Sequence, residues 1–153
     1  MEIRPTHPGD VPALQAVLDA TQLFPSEMLP DMIRDFFSNG GSAEIWLTCI
    51  MNDKAVGFCY AVPEELADGT WNMLAIAVSP GMQGGGCGSA LTKHLETDLK
   101  QRGQRILIVD TSGTDAFERT RAFYAKSGYT QEARIRDFWA EGDDKIIFRK
   151  SLR

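Results

Sequence analysis

The chemistry legible in this chain begins at Gln83-Gly84-Gly85-Gly86-Cys87-Gly88, where glycine fills four of the five positions from 84 to 88. Glycine lets a backbone approach a ligand closely, at a cost in chain entropy that a plain turn has little reason to bear. The stretch follows an apolar strand (Leu74, Ala75, Ile76, Ala77, Val78) and precedes a helix marked by Leu91, Leu95 and Leu99, four apart on one stripe. The first turn of a helix leaves N–H groups unpaired, and the macrodipole adds partial positive charge there. Strand, glycine loop and helix start together make an anion site suited to phosphates.

Spacing narrows the phosphate ligand. A P-loop needs Lys and then Ser or Thr directly after its last glycine. Gly81 and Gly86 have the right separation, but Cys87-Gly88 follow. A dinucleotide fingerprint needs glycine at its first, third and sixth positions. Gly84 and Gly86 lead instead to Ser89, and Gly86 and Gly88 lead to Leu91. What remains is Gln83-x-x-Gly86-x-Gly88 behind a strand ending Val78-x-Pro80. This pattern resembles the pyrophosphate loop of the GNAT superfamily, the acyl-coenzyme A-dependent N-acyltransferases.

A second stretch, Phe123-Tyr124-Ala125-Lys126-Ser127-Gly128-Tyr129, resembles that family's Phe-Tyr-x-x-x-Gly-aromatic signature. Neighbouring side chains diverge around a helix, so one of Phe123 and Tyr124 belongs in the core and the other lines a cleft. The resemblance implies that Tyr124 is the general acid, protonating the thiolate that leaves as an amine takes the acyl group. It also implies that the main chains of Ile76, Ala77 and Val78 pair with the pantetheine arm. One of those amides would polarise the thioester carbonyl as an oxyanion hole does. Gln83, Gly84, Gly85, Gly86, Cys87, Gly88 and Ser89 would cradle the pyrophosphate of acetyl-CoA, the co-substrate. Phe117 and Arg119 would lie beside the coenzyme, with Arg121 an alternative to Arg119.

The chain departs from the family in two places. Many relatives carry a glutamate general base on the strand before the loop, and Trp71-Asn72-Met73-Leu74 offers none. An asparagine common seven residues before the tyrosine is here Phe117. Asp110, at the end of its strand, is one candidate for the base. An amine arrives mostly as a cation, so Asp137, Asp143 and Asp144, around Glu141-Gly142-Asp143-Asp144, are candidates for holding it. Cys87 lies inside the phosphate loop, away from any acyl-cysteine route, and His94, near the leucine stripe, reads as a packing residue.

The elements that must position these groups follow from periodicity. A strand over Glu2–Arg4 precedes a helix from Gly9-Asp10 with Val11, Leu14, Val17 and Leu18 on one face. A second helix falls within Pro25–Asn39, its Met28, Met32, Ile33, Phe36 and Phe37 forming a core stripe or an acyl groove, with Asn39-Gly40-Gly41 as its stop. Glu44–Met51 and Ala55–Val62 read as strands about Asn52-Asp53-Lys54, covered on both faces. Trp71–Val78 leads into the loop. Arg105–Thr111 carries a continuous buried run, Ile106 to Val109. After Ser112-Gly113-Thr114-Asp115, which ends in an N-cap, a helix runs to about Ser127 and stops at Gly128. Gln131–Ala140 and Lys145–Leu152 form a closing hairpin. This order predicts an α/β (α+β) fold: a mixed, mostly antiparallel sheet of about seven strands with helices on both faces, in a single domain over residues 1–153.

Composition fits that reading. Of 153 residues, 43% are hydrophobic and 24% charged, which is ordinary for a globular domain with a real core. A formal net charge of −5 disfavours nucleic acid as a partner. Neither a bilayer-length apolar run nor a signal peptide is evident, and a cytoplasmic location is expected. Three cysteines without CxxC spacing suggest neither a disulfide framework nor a metal site. The function so predicted is N-acetyl transfer from acetyl-CoA to a primary amine, small or peptidic, by direct attack in a ternary complex, with a homodimer open to it. The rival is a non-catalytic acyl-CoA-binding module on the same fold.

Overall fold

The computed structural model describes residues 1–38 and 42–153; the stop expected at Asn39-Gly40-Gly41 lies outside the described residues. The strands are β1 (Glu2–Pro5), β2 (Ile45–Met51), β3 (Lys54–Pro63), β4 (Thr70–Val78), β5 (Ile106–Ser112), β6 (Thr130–Ala140) and β7 (Asp143–Ser151). The helices are α1 (Val11–Thr21), α2 (Leu29–Phe37), α3 (Cys87–Gln101) and α4 (Glu118–Lys126). The seven strands form one sheet in the order β1-β2-β3-β4-β5-β7-β6. β1–β2, β2–β3, β5–β7 and β6–β7 pair antiparallel. β4 and β5, joined through α3, pair parallel over Thr70–Met73 against Ile106–Val109. The expected α/β fold with its seven-stranded, mostly antiparallel sheet is thus what the chain forms. The chain divides into two compact units, Met1–Pro63 with Leu74–Asp98, and Glu64–Met73 with Leu99–Arg153.

In the first unit, Leu14, Val17 and Leu18 of α1 and Leu29 and Ile33 of α2 are buried with Trp46, Phe58, Ala75 and Ala77. Met32, Phe36 and Phe37 pack against that cluster, so the stripe on α2 belongs to the core, while Met28 is exposed. Five successive residues of β2, Ile45 to Cys49, are buried, as a strand covered on both faces requires. Asn52 and Asp53 both take left-handed backbone (φ 52° and 61°), making a two-residue hairpin of the kind that matches strand twist. Lys54 belongs to β3, paired with Met51, rather than to the turn. At the start of α1, Arg4 grips the Asp10 carboxylate with two hydrogen bonds of 2.7 and 3.0 Å, and Asp10 also accepts the His7 N–H at 2.8 Å. The arginine's hydrogen bonds hold the Asp10 carboxyl below the usual carboxylate range.

In the second unit, Leu107, Val109 and Thr111 of β5 are buried, whereas Ile106 and Ile108 are only half-buried. The expected continuous run therefore alternates, as strand geometry dictates when one face is more deeply covered than the other. No side chain caps the turn that opens α4: Thr114 precedes Asp115–Phe117, and Phe117 itself stands before the helix. Arg121 instead pins the preceding loop, donating to the carbonyls of Ser112 (2.8 Å) and Thr114 (2.7 Å). β6 is an edge strand exposed along its length. Its pairing with β7 shifts between Ile135 and Ala140, where Asp137 adopts φ 56°. Asp143 and Asp144 lie within β7, so the connecting turn is Glu141-Gly142 alone.

Candidate active site

The glycine loop is built in the first unit. β4 ends at Val78, and a short 3-10 turn (Pro80–Met82) delivers the chain to Gln83. The Gln83 side-chain amide donates back to the Val78 carbonyl at 3.1 Å, tying the loop to the strand end. Gly84 and Gly86 have φ of +84° and +90°, a conformation that side chains rarely tolerate. A Cβ at Gly84 would meet nothing within 4 Å, and one at Gly86 only the Met1 methyl at 3.8 Å. Packing therefore does not demand glycine at either position; the backbone conformation does, and it leaves a bare, open cradle. The first α3 bond runs from the Ala90 N–H to the Gly86 carbonyl at 2.9 Å. The Cys87, Gly88 and Ser89 amides precede it and are the donors a helix start leaves for an anion.

Cys87 turns its side chain the other way. Its thiol is buried, and burial together with the neighbouring Cys49 thiol pushes its pKa upward. Burial likewise lifts the Cys59 thiol to about 12. Nucleophilic cysteines need the opposite shift, so the Cys87 thiol is poorly suited to carry an acyl group. Gly57 on β3 makes room here: a Cβ would stand 2.9 Å from the Ala77 carbonyl and 3.1 Å from the Cys87 sulfur. Nothing in the spacing of the loop motif points to that residue. His94, expected to pack, is exposed, because it falls outside the stripe of Leu91, Leu95 and Leu99, about 100° around the helix from Leu95.

The remaining predicted residues lie in the second unit. Tyr124 is the buried member of the aromatic pair at 1% exposure, and Phe123 is the half-buried one. The Tyr124 ring packs against Phe123, Tyr129 and Phe148, with centroids 5.3, 5.5 and 5.5 Å away. Phe117 is half-buried and Arg119 exposed at the start of α4. The carboxylates assigned to an amine are spread over hairpin and strand. Asp137 accepts the Gly142 N–H and donates its own N–H to Asp144, both at 2.9 Å. Asp144 also pairs with Arg134, and Asp143 accepts from Ser112 Oγ. Those two contacts to Asp144, the Asp137 N–H first, hold its carboxyl below the usual range. Asp137 and Asp144 thus shape the hairpin, and Asp143 ties β7 to the end of β5.

Asp110 sits in different company. Its Oδ2 accepts from Asn72 Nδ2 and faces the Lys145 ammonium, each at 3.2 Å. Asn72 Nδ2 also donates to Glu64 at 3.2 Å. Lys145 lies 4.2 Å from the centroid of the Phe138 ring and 5.9 Å from that of Trp139. The second oxygen of Asp110 and the side-chain oxygen of Asn72 are buried with no partner among the described residues. Sequence reasoning singled out Asp110 and not its neighbours Asn72, Lys145 and Glu64, which carry no motif.

A structure from Desulfovibrio desulfuricans, assigned to the GNAT family of acetyltransferases, superimposes with a TM-score of 0.89 at 27% identity, covering 99% of each chain. The Escherichia coli ribosomal-protein-S18-alanine N-acetyltransferase matches at 0.79 and 22% identity, over 99% of this chain and 93% of that one. An aminoglycoside 6′-N-acetyltransferase solved with coenzyme A matches at 0.80 and 18% identity, over 100% and 98%. No curated protein matches the sequence. Residues 13–129 fit the acetyltransferase (GNAT) family's sequence pattern, a span that takes in both the glycine loop and the Tyr124 signature, and the chain belongs to that family.

Proposed function

We propose that the chain moves the acetyl group of acetyl-CoA directly to a primary amine within a ternary complex. The observation that carries this reading is the left-handed Gly84–Gly86 cradle at the start of α3, whose open space and amide donors suit a pyrophosphate. The similar solved structures include enzymes named for a ribosomal-protein alanine and an aminoglycoside, both amine acceptors, which supports an amine here.

In this mechanism the main chains of Ile76, Ala77 and Val78 align the pantetheine arm, and loop residues 83–89 hold the phosphates. The amine nitrogen attacks the thioester carbon, and an N–C bond forms as the C–S bond breaks. Asp110 takes the proton that the amine loses, and the Tyr124 hydroxyl gives one to the departing thiolate. Three buried free thiols suit a reducing compartment such as the cytoplasm. The test is thiol release from acetyl-CoA with a panel of amines. Release that depends on the amine supports the reading. Tight coenzyme binding with no such release identifies the chain as an acyl-CoA-binding module instead.

A further inference from the structure

Gly57 stands in the middle of β3, and nothing in its backbone calls for glycine. It pairs with Cys49 of β2, beside a shift in the register of the two strands, and it lies outside the left-handed region that Gly84 and Gly86 occupy. A glycine inside a strand costs chain entropy and gives up side-chain packing, so it marks a place where another part of the chain comes close. Here two parts do. A Cβ on Gly57 would stand 2.9 Å from the Ala77 carbonyl oxygen, 3.1 Å from the Cys87 sulfur and 3.3 Å from a Val78 methyl. Space therefore requires this glycine, the reverse of Gly84, where an added Cβ meets nothing within 4 Å.

Those neighbours bracket the glycine loop. Ala77 and Val78 are the last two residues of β4, and Cys87 is the first residue of α3. Cross-strand partners face the same side of a sheet, so Cys49 and Gly57 share the face against which Cys87 is seated. There the Cys87 thiol shares a hydrogen bond with Cys49, and both side chains are buried, at 1% and 0% exposure. The sulfur has no solvent side into which to retreat. The Ala77 oxygen is main chain and does not swing aside as the end of a flexible side chain would. β3 also holds the chain beyond β4, because the Ser79 N–H donates to the Val56 carbonyl at 2.7 Å. The end of β4 and the start of α3 thus close on the same bare position.

We propose that Gly57 is a positioning residue for coenzyme binding: its missing side chain fixes how close the amides at the start of α3 stand to the end of β4. This rests on the acetyl-transfer reading and extends it to a strand outside both motifs. Coenzyme A joins a pantetheine arm to a pyrophosphate, so it engages strand and loop together only where their separation matches its own. A methyl group on residue 57 is wedged between the Ala77 oxygen and the Cys87 sulfur, and it drives the two elements out of step with that ligand. Shortening Cys87 to alanine vacates one side of the wedge, and the methyl then moves off the carbonyl. Residues in such contact do not act additively, so the second substitution offsets the first.

Calorimetric titration of the full-length protein with coenzyme A tests this, with circular dichroism and urea midpoints showing that each variant is folded. Gly57→Ala is expected to weaken coenzyme A at least tenfold in the otherwise wild-type chain, and threefold or less in a Cys87→Ala background. A residue that served stability alone would give no such recovery, because Cys87→Ala removes further packing from a buried site. Should Gly57→Ala fail to fold, Cys87→Val decides: it enlarges the same contact from the helix side and is expected to weaken coenzyme A at least tenfold. The proposal is overturned if folded Gly57→Ala, or Cys87→Val in its place, binds coenzyme A within threefold of the wild type. It is overturned equally if Gly57→Ala costs as much in the Cys87→Ala background as without it. Either result leaves the acetyl-transfer reading intact. A wild type that binds no coenzyme A removes that reading, and this proposal with it.

Discussion

The carbonyl of Tyr124 accepts the N–H of Tyr129 at 3.0 Å, and the two rings meet edge to face with centroids 5.5 Å apart. Between them Gly128 takes φ +91° and donates to Ala125 at 3.3 Å. These bonds and the ring contact constitute a complete Schellman cap. The glycine and second aromatic of the family signature are therefore the device that ends α4 and clamps Tyr124 from one side. Gly128→Ala is expected to destabilise the protein by about 1 kcal/mol, since alanine resists that conformation. Space is not at issue, because an added Cβ would lie 3.5 Å from the Lys150 side chain. Urea denaturation checks this; an unchanged midpoint would mean that the cap contributes nothing.

Tyr124→Phe keeps the ring packing against Tyr129 and Phe148 and removes only the hydroxyl. If that hydroxyl protonates the thiolate, kcat should fall by on the order of 10²-fold while coenzyme A affinity stays within a few-fold. Steady-state kinetics beside calorimetry separate the two effects. A normal kcat with chemistry rate-limiting would take the acid role away from Tyr124.

Gly86→Asp places both a strained backbone and a negative charge in the proposed phosphate cradle. Binding of coenzyme A should weaken at least tenfold. Gly86→Ala, which brings the φ strain without the charge, should fall between the variant and the wild type. Equal, near-normal affinities in two folded variants would mean that the coenzyme does not use this loop.

Cys49, Cys59 and Cys87 are all buried free thiols. Native protein at pH 8 should therefore react with Ellman's reagent at no cysteine on the assay timescale, and at all of them in guanidinium. A fast-reacting thiol in the native state would reopen an acyl-cysteine route. Cys87→Ala should keep kcat within a few-fold, because its side chain turns away from the cradle.

The cradle was readable in the sequence because its elements are local: a strand, four glycines and a helix start within one stretch of chain. The same holds for α4, where Gly128 and Tyr129 announce the cap. The core stripe on α2 left two readings open, since Met and Phe at helical spacing look alike in a core and in a groove. The hairpin acids went the other way. Spacing brought Asp137, Asp143 and Asp144 to one edge, but only three-dimensional geometry reveals that Asp137 holds Gly142 and that Asp144 holds Arg134. Asn72, Asp110 and Lys145 come from three different strands, and no local pattern links them.

Acid should loosen the first unit through Asp10. The two hydrogen bonds from Arg4, with the His7 N–H, favour its ionised form in the fold, so the folded carboxyl binds its proton at lower pH than the unfolded one. Where the folded state binds fewer protons, stability rises with pH. The contribution of Asp10 is thus fully present above the unfolded pKa, near 3.8. It is lost as pH falls through the lower, folded value. Asp10→Asn removes the charge yet leaves an oxygen for the His7 N–H. The variant should be less stable than the wild type at pH 7 and pH 5, and the two urea midpoints should converge as pH drops from 4 toward 3. A gap between the midpoints that stays constant from pH 7 to 3 would mean that the Arg4–Asp10 pair does not set the acid limb, and that the cost of the substitution comes from packing alone.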